Sequence, residues 1–311
     1  MLRSLKARKT RNRGARPIVL LVTMLLAASF AGAANSVGFA SLKIGIGTRE
    51  CGMGDAGTAS AIGPQSIYWN PALNGWENRF GASISYSDWF LDMNKAALFV
   101  VRPTPIANVG LGATVFNAGK LEFRDEYPDD EPLGTFSPFD YSIYVNLSRA
   151  LPGNLVLGGT GRYYYQKILD HSSHGWGVDL GLAFEPVKNL KLAGAIMDFG
   201  STLQFRFADY SLPTRGVVGA SYALPLGWTQ VNLAADGGFG FFDRQFALNA
   251  GAEVLLGKVV AVRGGYKILD QTAGLTLGVG FRVKGIRIDY AFGAHDLSLG
   301  ATHRFSVGFG Y

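Results

Sequence analysis

Phe305, Val307, Phe309 and Tyr311 occupy every second position at the end of the sequence, with Arg304, Ser306, Gly308 and Gly310 between them. A period of two, apolar on one face and polar or very small on the other, marks a half-buried β-strand. Such a strand needs partners on both edges and a cover over its apolar face. From residue 79 onward the pattern occurs fourteen times, at 79–87, 94–102, 106–117, 139–149, 154–167, 174–185, 189–199, 214–224, 228–237, 243–255, 258–267, 273–283, 285–293 and 302–311. Most of these segments are close to the length a tilted strand needs to cross a bilayer. No helical segment lies among them to cover the apolar faces, which leaves lipid. The pattern predicts an all-β chain, a transmembrane antiparallel β-barrel of about 14 strands.

The alternation also assigns faces. Trp176, Val178, Leu180, Leu182 and Phe184 share one face, as do Leu275, Leu277, Val279, Phe281 and Val283, and these are read as lipid-facing. The charges then carry the opposite parity: Arg162, Asp179, Arg215, Asp236, Glu253, Arg263, Arg282, Arg287, Asp289 and Arg304. A charge facing lipid near mid-membrane costs a few kcal/mol, so a barrel must sort its charges inward. Asp198 breaks the parity and is expected at a strand end, outside the hydrocarbon. Arg263, Arg282, Arg287, Glu253 and Asp289 come from four successive segments and are expected to form a ladder in one half of the lumen.

Connections alternate in length. Those at 102–107, 150–154, 185–189, 223–227, 256–258 and 284–285 are tight, whereas 119–138 and 200–213 are long. Short turns belong to the periplasmic rim and long loops to the outer one. The other end of the chain is basic up to Arg16, apolar from Ile18 to Phe30, and then small, as in a cleavable secretory leader at 1–33. That leader holds much of the net charge of +6, so the basic balance is no argument for nucleic acid. Together these place the chain in the outer membrane of a Gram-negative-type bacterium, in contact with its lipid. The aromatic Tyr311 is the residue expected to engage the barrel-assembly machinery.

Residues 34–78 differ from the rest, being rich in glycine and small residues with little alternation. They are too apolar to hang in water, and a lumen enclosed by about fourteen strands is too wide for side chains to fill. The segment is therefore expected inside the lumen as a plug, ahead of a barrel at 79–311. Gly52-Met53-Gly54-Asp55-Ala56-Gly57 matches a dinucleotide-binding pattern, but no crossover helix and parallel strand follow it, so no cofactor is expected. Asp170, His171 and His174 share one connection without a second cluster to complete a metal site. No catalytic constellation is assembled by spacing, and the chain reads as non-enzymatic.

Gly52-Met53-Gly54-Asp55-Ala56, followed by Ser66-Ile67-Tyr68-Trp69-Asn70-Pro71-Ala72, resembles the N-terminal signature of the PorV/PorQ family, within the FadL-like (OmpP1/FadL/TodX) superfamily of outer-membrane barrels. The resemblance implies that Gly52, Met53, Gly54, Asp55, Tyr68, Trp69, Asn70 and Pro71 belong to a hatch inside the barrel. It implies two functions. FadL-like members pass hydrophobic molecules across the outer membrane; PorV-like members receive exported cargo proteins in type IX secretion. The acidic stretch Glu122–Glu131 departs from the apolar outer loop of an uptake barrel.

Overall fold

The computed structural model describes residues 37–124, 131–205, 208–270, 273–295 and 300–310. The leader at 1–33, positions 125–130 of the acidic loop, and Tyr311 lie outside them. In chain order, β1 (Gly81–Asp88), β2 (Asn94–Arg102) and β3 (Asn108–Asn117) are followed by a small outer hairpin, β4 (Leu121–Phe123) with β5 (Gly134–Phe136). Next come β6 (Phe139–Leu151), β7 (Leu155–Ile168), β8 (His171–Val187) and β9 (Leu190–Gly200), and a second hairpin, β10 (Leu203–Phe205) with β11 (Ala208–Tyr210). The wall is completed by β12 (Arg215–Leu226), β13 (Thr229–Gly240), β14 (Phe246–Leu256), β15 (Val260–Lys267), β16 (Ala273–Val283), β17 (Ile286–His295) and β18 (Ala301–Phe309).

Fourteen of these strands form one closed antiparallel barrel, and each of the fourteen predicted segments corresponds to one of them. Closure pairs β1 with β18, placing Ile84 opposite Val307 and Tyr86 opposite Phe305. The last strand thereby acquires its second edge partner. The two small hairpins occupy the connections predicted to be long.

The faces follow the parity. Trp176, Val178, Leu180, Leu182 and Phe184 are exposed on the outer surface, together with Leu275, Leu277, Val279, Phe281 and Val283. An apolar belt of this kind is stable only against hydrocarbon. One rim carries tight turns. Lys284 and Gly285 form a two-residue connection with φ of 49° and 81°, the mirror-image turn that matches the twist of a hairpin. The opposite rim carries the longer connections, except for the turn that joins Ile168 to His171, while the connection after β2, residues 103–107, is the one on the tight-turn rim that matches the shorter outer connections in length.

Asp198 requires a correction. It lies near the end of β9, but it points into the lumen and is fully buried. The register between β8 and β9 shifts, with Val178 opposite Phe199 and Leu180 opposite Ile196, so Asp179 faces two residues instead of one. Asp198 takes φ of 57° in this bulge, and Met197 and Asp198 are both turned inward. A bulge breaks the period of two, and Asp tolerates the left-handed conformation better than most residues.

Residues 37–80 run through the lumen in short turns, Ala40–Lys43, Thr48–Gly52, Ser66–Trp69 and Leu73–Trp76, before the chain enters β1. The path begins at the outer rim, where Val37 bridges Ser211 and Phe39 and Leu42 pack on Tyr164, Leu203 and Leu212. It ends at the tight-turn rim, where Asn108 donates to the carbonyls of Asn74 and Glu77 at 2.7 and 2.6 Å.

Candidate functional site

Two glycine tracks in the wall let this segment approach. At Gly251 and Gly265 a Cβ would strike the backbone of Met53 and Gly54; at Gly158 and Gly181 it would strike Pro71 and Asn70. Only residues without a side chain allow backbone to lie this close to a strand. The segment is thus seated on β14 and β15 on one side and on β7 and β8 on the other.

On the first side the contacts are ionic. Gly52 ends a helical turn, Met53 is fully buried, and Gly54 N–H donates to Thr276 Oγ1 at 2.9 Å. Arg49 pairs with Glu253 at 2.9 Å and donates to Ser60 O at 2.8 Å. Glu253 pairs in turn with Arg263 (2.6 Å), Arg263 with Asp289 (2.7 Å) and Asp289 with Arg287 (2.8 Å). This ladder lies in the tight-turn half, because Glu253 is three residues from the end of β14. Arg282 is half-buried beside Arg287 and makes no ion pair among the described residues. Burial alone would lower the Arg49 pKa; Glu253 and Glu50 raise it above the ordinary value.

On the second side, around Asn70 to Asn74, the contacts are neutral amides. Asn70 donates to the carbonyls of Thr58, Leu182 and Gly194 at 3.2–3.4 Å, and its Oδ1 accepts from Ala72 N–H at 2.9 Å. Asn146 of β6 donates to Pro71 O at 3.1 Å and accepts from the Asn74 amide at 2.8 Å. Tyr68 hydroxyl lies 2.7 Å from the carbonyls of both Leu42 and Ile44, and Trp69 Nε1 donates to Ile46 O at 3.0 Å. Burial pushes the Tyr68 phenol well up, keeping it a neutral donor.

The remaining lumen charges fall into smaller groups. Arg162 pairs with Asp179 and, at 2.8 Å, with Asp198; Tyr164 also donates to Asp198, at 2.9 Å. Arg215 approaches Asp198 at 3.6 Å. Asp236 accepts Thr58 N–H at 2.6 Å. Arg304 lies 3.8 Å from Asp55 and over the Trp89 ring.

Above the segment a cavity of about 770 Å³ opens toward the outer rim. Its floor is Gly45, Asp55, Thr58, Tyr68 and Trp69; its walls include Met197, Arg215, Phe239, Asn249 and Lys267. The volume suits a small ligand, and the lining joins aromatic rings to charges of both signs. Two ion pairs tie the floor to the wall here, Asp55 with Lys267 and Lys43 with Asp243. Burial pushes the Asp55 carboxyl up, but Lys267 and Arg304 outweigh that and hold it below the usual carboxylate range.

Several of these residues escaped the sequence reading. Lys95, which donates to the carbonyls of Ser41 and Ile44 at 2.8 Å, shares its inward face with Ala97, Phe99 and Val101. Both faces of β2 are apolar, so alternation could not orient it. Asn146 was findable, since Ser142, Asn146 and Ser148 repeat polar residues at alternate positions. Of the metal candidates, His171 and His174 have opposite parities on β8. No group of three metal-ligating side chains gathers among the described residues.

No protein-family model matches the chain, and no curated protein is similar to it in sequence. Solved structures do share its architecture. The Pseudomonas putida toluene transporter TodX has a TM-score of 0.58 at 11% identity, covering 85% of this chain and 96% of TodX. CymD, a monoaromatic hydrocarbon channel, has a TM-score of 0.58 at 13% identity, with 85% and 96% covered. A Pseudomonas aeruginosa FadL homologue has 0.54 at 11% identity, with 89% and 99% covered. At these identities the likeness concerns the fold: a closed fourteen-stranded barrel of the FadL/TodX type.

Proposed function

We propose that this chain is a non-enzymatic outer-membrane barrel of the FadL-like superfamily that admits small apolar or amphipathic molecules through its outer cavity. Residues 1–33 are a removed leader, 34–78 a hatch and 79–311 the barrel. The observation that carries this reading is that the cavity floor is the N-terminal segment itself. A ligand resting on Trp69 and Tyr68 touches the element that must shift for anything to pass. Titration of the purified barrel with alkylbenzenes, following intrinsic fluorescence, should show saturable binding whose signal is lost in Trp69→Phe. Uptake of a labelled alkylbenzene by cells should fall when Ala247→Trp fills the cavity. Absence of saturable binding would overturn the reading.

Gly52–Ala56 and Ser66–Ala72, which resemble the PorV/PorQ signature, are stretches that seat the segment. This favours a second reading, a type IX secretion accessory that receives exported cargo. Leu121, Phe123 and Leu133 are exposed in and beside the β4–β5 hairpin, as a protein-binding surface requires. Stoichiometric secreted protein on gentle purification, without bound apolar molecules, would decide for cargo.

A further inference from the structure

A second cavity, of about 590 Å³, lies on the barrel wall at the tight-turn rim, between the ends of β1, β2 and β3. Phe80, Val100, Val109 and Leu111 give it apolar sides, and the turn after β2, with Pro103 and Pro105, closes it toward the periplasm. That turn is the longest on its rim. Thr104 braces it, Oγ1 donating to Ala107 O at 2.5 Å and accepting from Ala107 N–H at 3.3 Å. Two prolines fix φ, so the groove is preformed. Phe80 is further held by its ring contact with Phe309 at 6.1 Å.

One charge belongs to the groove. Arg102 has outward parity at the last position of β2, opposite Val109, and is exposed. No carboxylate pairs with it among the described residues. Its depth, at the end of the apolar belt, is that of lipid headgroups. The same rim exposes Arg79, Arg149, Lys188, Lys258 and Lys284, while its carboxylates Glu77 and Glu185 accept from backbone N–H groups of Gly63 and Asn189.

We propose that this groove binds one anionic phospholipid of the periplasmic leaflet. An acyl chain lies against Phe80, Val100 and Leu111, and the phosphate rests on Arg102. The groove is continuous with the lipid-facing belt, so its occupant arrives without leaving the membrane. An unpaired guanidinium beside an apolar slot matches a headgroup phosphate above a chain, since its planar fork binds phosphate oxygens in pairs. This inference concerns the outer wall and stands apart from ligand uptake through the lumen.

The test is native mass spectrometry of the full barrel, released from nanodiscs containing phosphatidylglycerol and phosphatidylethanolamine in equal amounts. The wild type should retain one phosphatidylglycerol in preference to phosphatidylethanolamine. Arg102→Gln should reduce that preference about fivefold, whereas Lys258→Gln, in the turn between β14 and β15 on the same rim and four strands round the barrel from β1, should leave it unchanged. Val109→Trp should expel the bound lipid by filling the slot. Heat-modifiable gel migration checks that each variant has folded. No preference in the wild type, or equal losses from Arg102→Gln and Lys258→Gln, would overturn the proposal, the latter showing a diffuse ring of charge instead of a site.

Discussion

The N-terminal segment is held by two walls that use different chemistry. Against β14–β17 it is fixed by Arg49 joining a buried ladder of ion pairs. Against β6–β9 its stretch from Asn70 to Asn74 is fixed by asparagine amides reading backbone carbonyls. A buried ion pair is a poor source of net stability but is expensive to break, because removing one partner strands the other. An amide contact contributes less and fails more gently. The ionic wall therefore behaves as an all-or-none clamp, and the amide wall as a set of separable rests.

The sharpest break in that contrast is Glu253→Gln. Arg49, Arg263 and Asn232 all donate to this carboxylate. Neutralising it leaves two buried guanidinium groups undercompensated and should destabilise the barrel by about 3–5 kcal/mol. The melting temperature in detergent should drop accordingly, and protection of residues 45–60 from hydrogen exchange should be lost. Retention of both would show that the ladder only lines a solvated lumen.

Asn146→Ala tests the amide wall. It removes the partner of Pro71 O and of the Asn74 amide together, and a loss of about 2–3 kcal/mol is expected, smaller than for Glu253→Gln. Hydrogen-exchange protection should fall around residues 70–76 and persist at 48–54. Loss at both would mean that the two walls are one cooperative unit.

Gly181→Ala sharpens the comparison further. The added methyl meets Asn70 Oδ1, and Ala72 N lies 3.0 Å away, so the segment must shift; about 1–2 kcal/mol should be lost. Gly161→Ala, in a neighbouring strand with nothing within 4 Å, is the control and should leave the melting temperature unchanged. Equal effects would mean that the glycines act through strand propensity rather than by admitting the segment.

The barrel was legible in the sequence because its code is local. Each strand states its own faces, and a lipid belt punishes every exception, so Trp176 to Phe184 and Leu275 to Val283 could be oriented without knowing their neighbours. The site was less legible because its contacts pair residues far apart in the chain. Arg49 and Glu253 are 204 positions apart, and parity says that a charge faces inward without saying what it meets. Asp198 shows the limit of parity, since one bulge residue is enough to invert the assignment. Lys95 shows another limit: where both faces of a strand are apolar, alternation carries no information.

The smallest expected effect concerns the outer end of the ionic wall, where the clamp meets the cavity. Asp55 faces Lys267 and Arg304 from β15 and β18, and the Cys51 thiol from its own segment, whose pKa burial pushes up so that it stays neutral. A carboxyl whose folded pKa is depressed contributes stability that is present above its unfolded pKa and lost as the pH falls through the folded value. The Asp55 contribution should therefore be complete at neutral pH and disappear below about pH 4. Asp55→Asn should cost about 1 kcal/mol at neutral pH, less than the buried ladder because the pair borders the open cavity. The difference in melting temperature between wild type and Asp55→Asn should shrink as the pH is lowered from 6 toward 3. A difference that stays constant over that interval would show that Asp55 supports the floor by shape alone, confining the ionic clamp to Arg49 and its ladder.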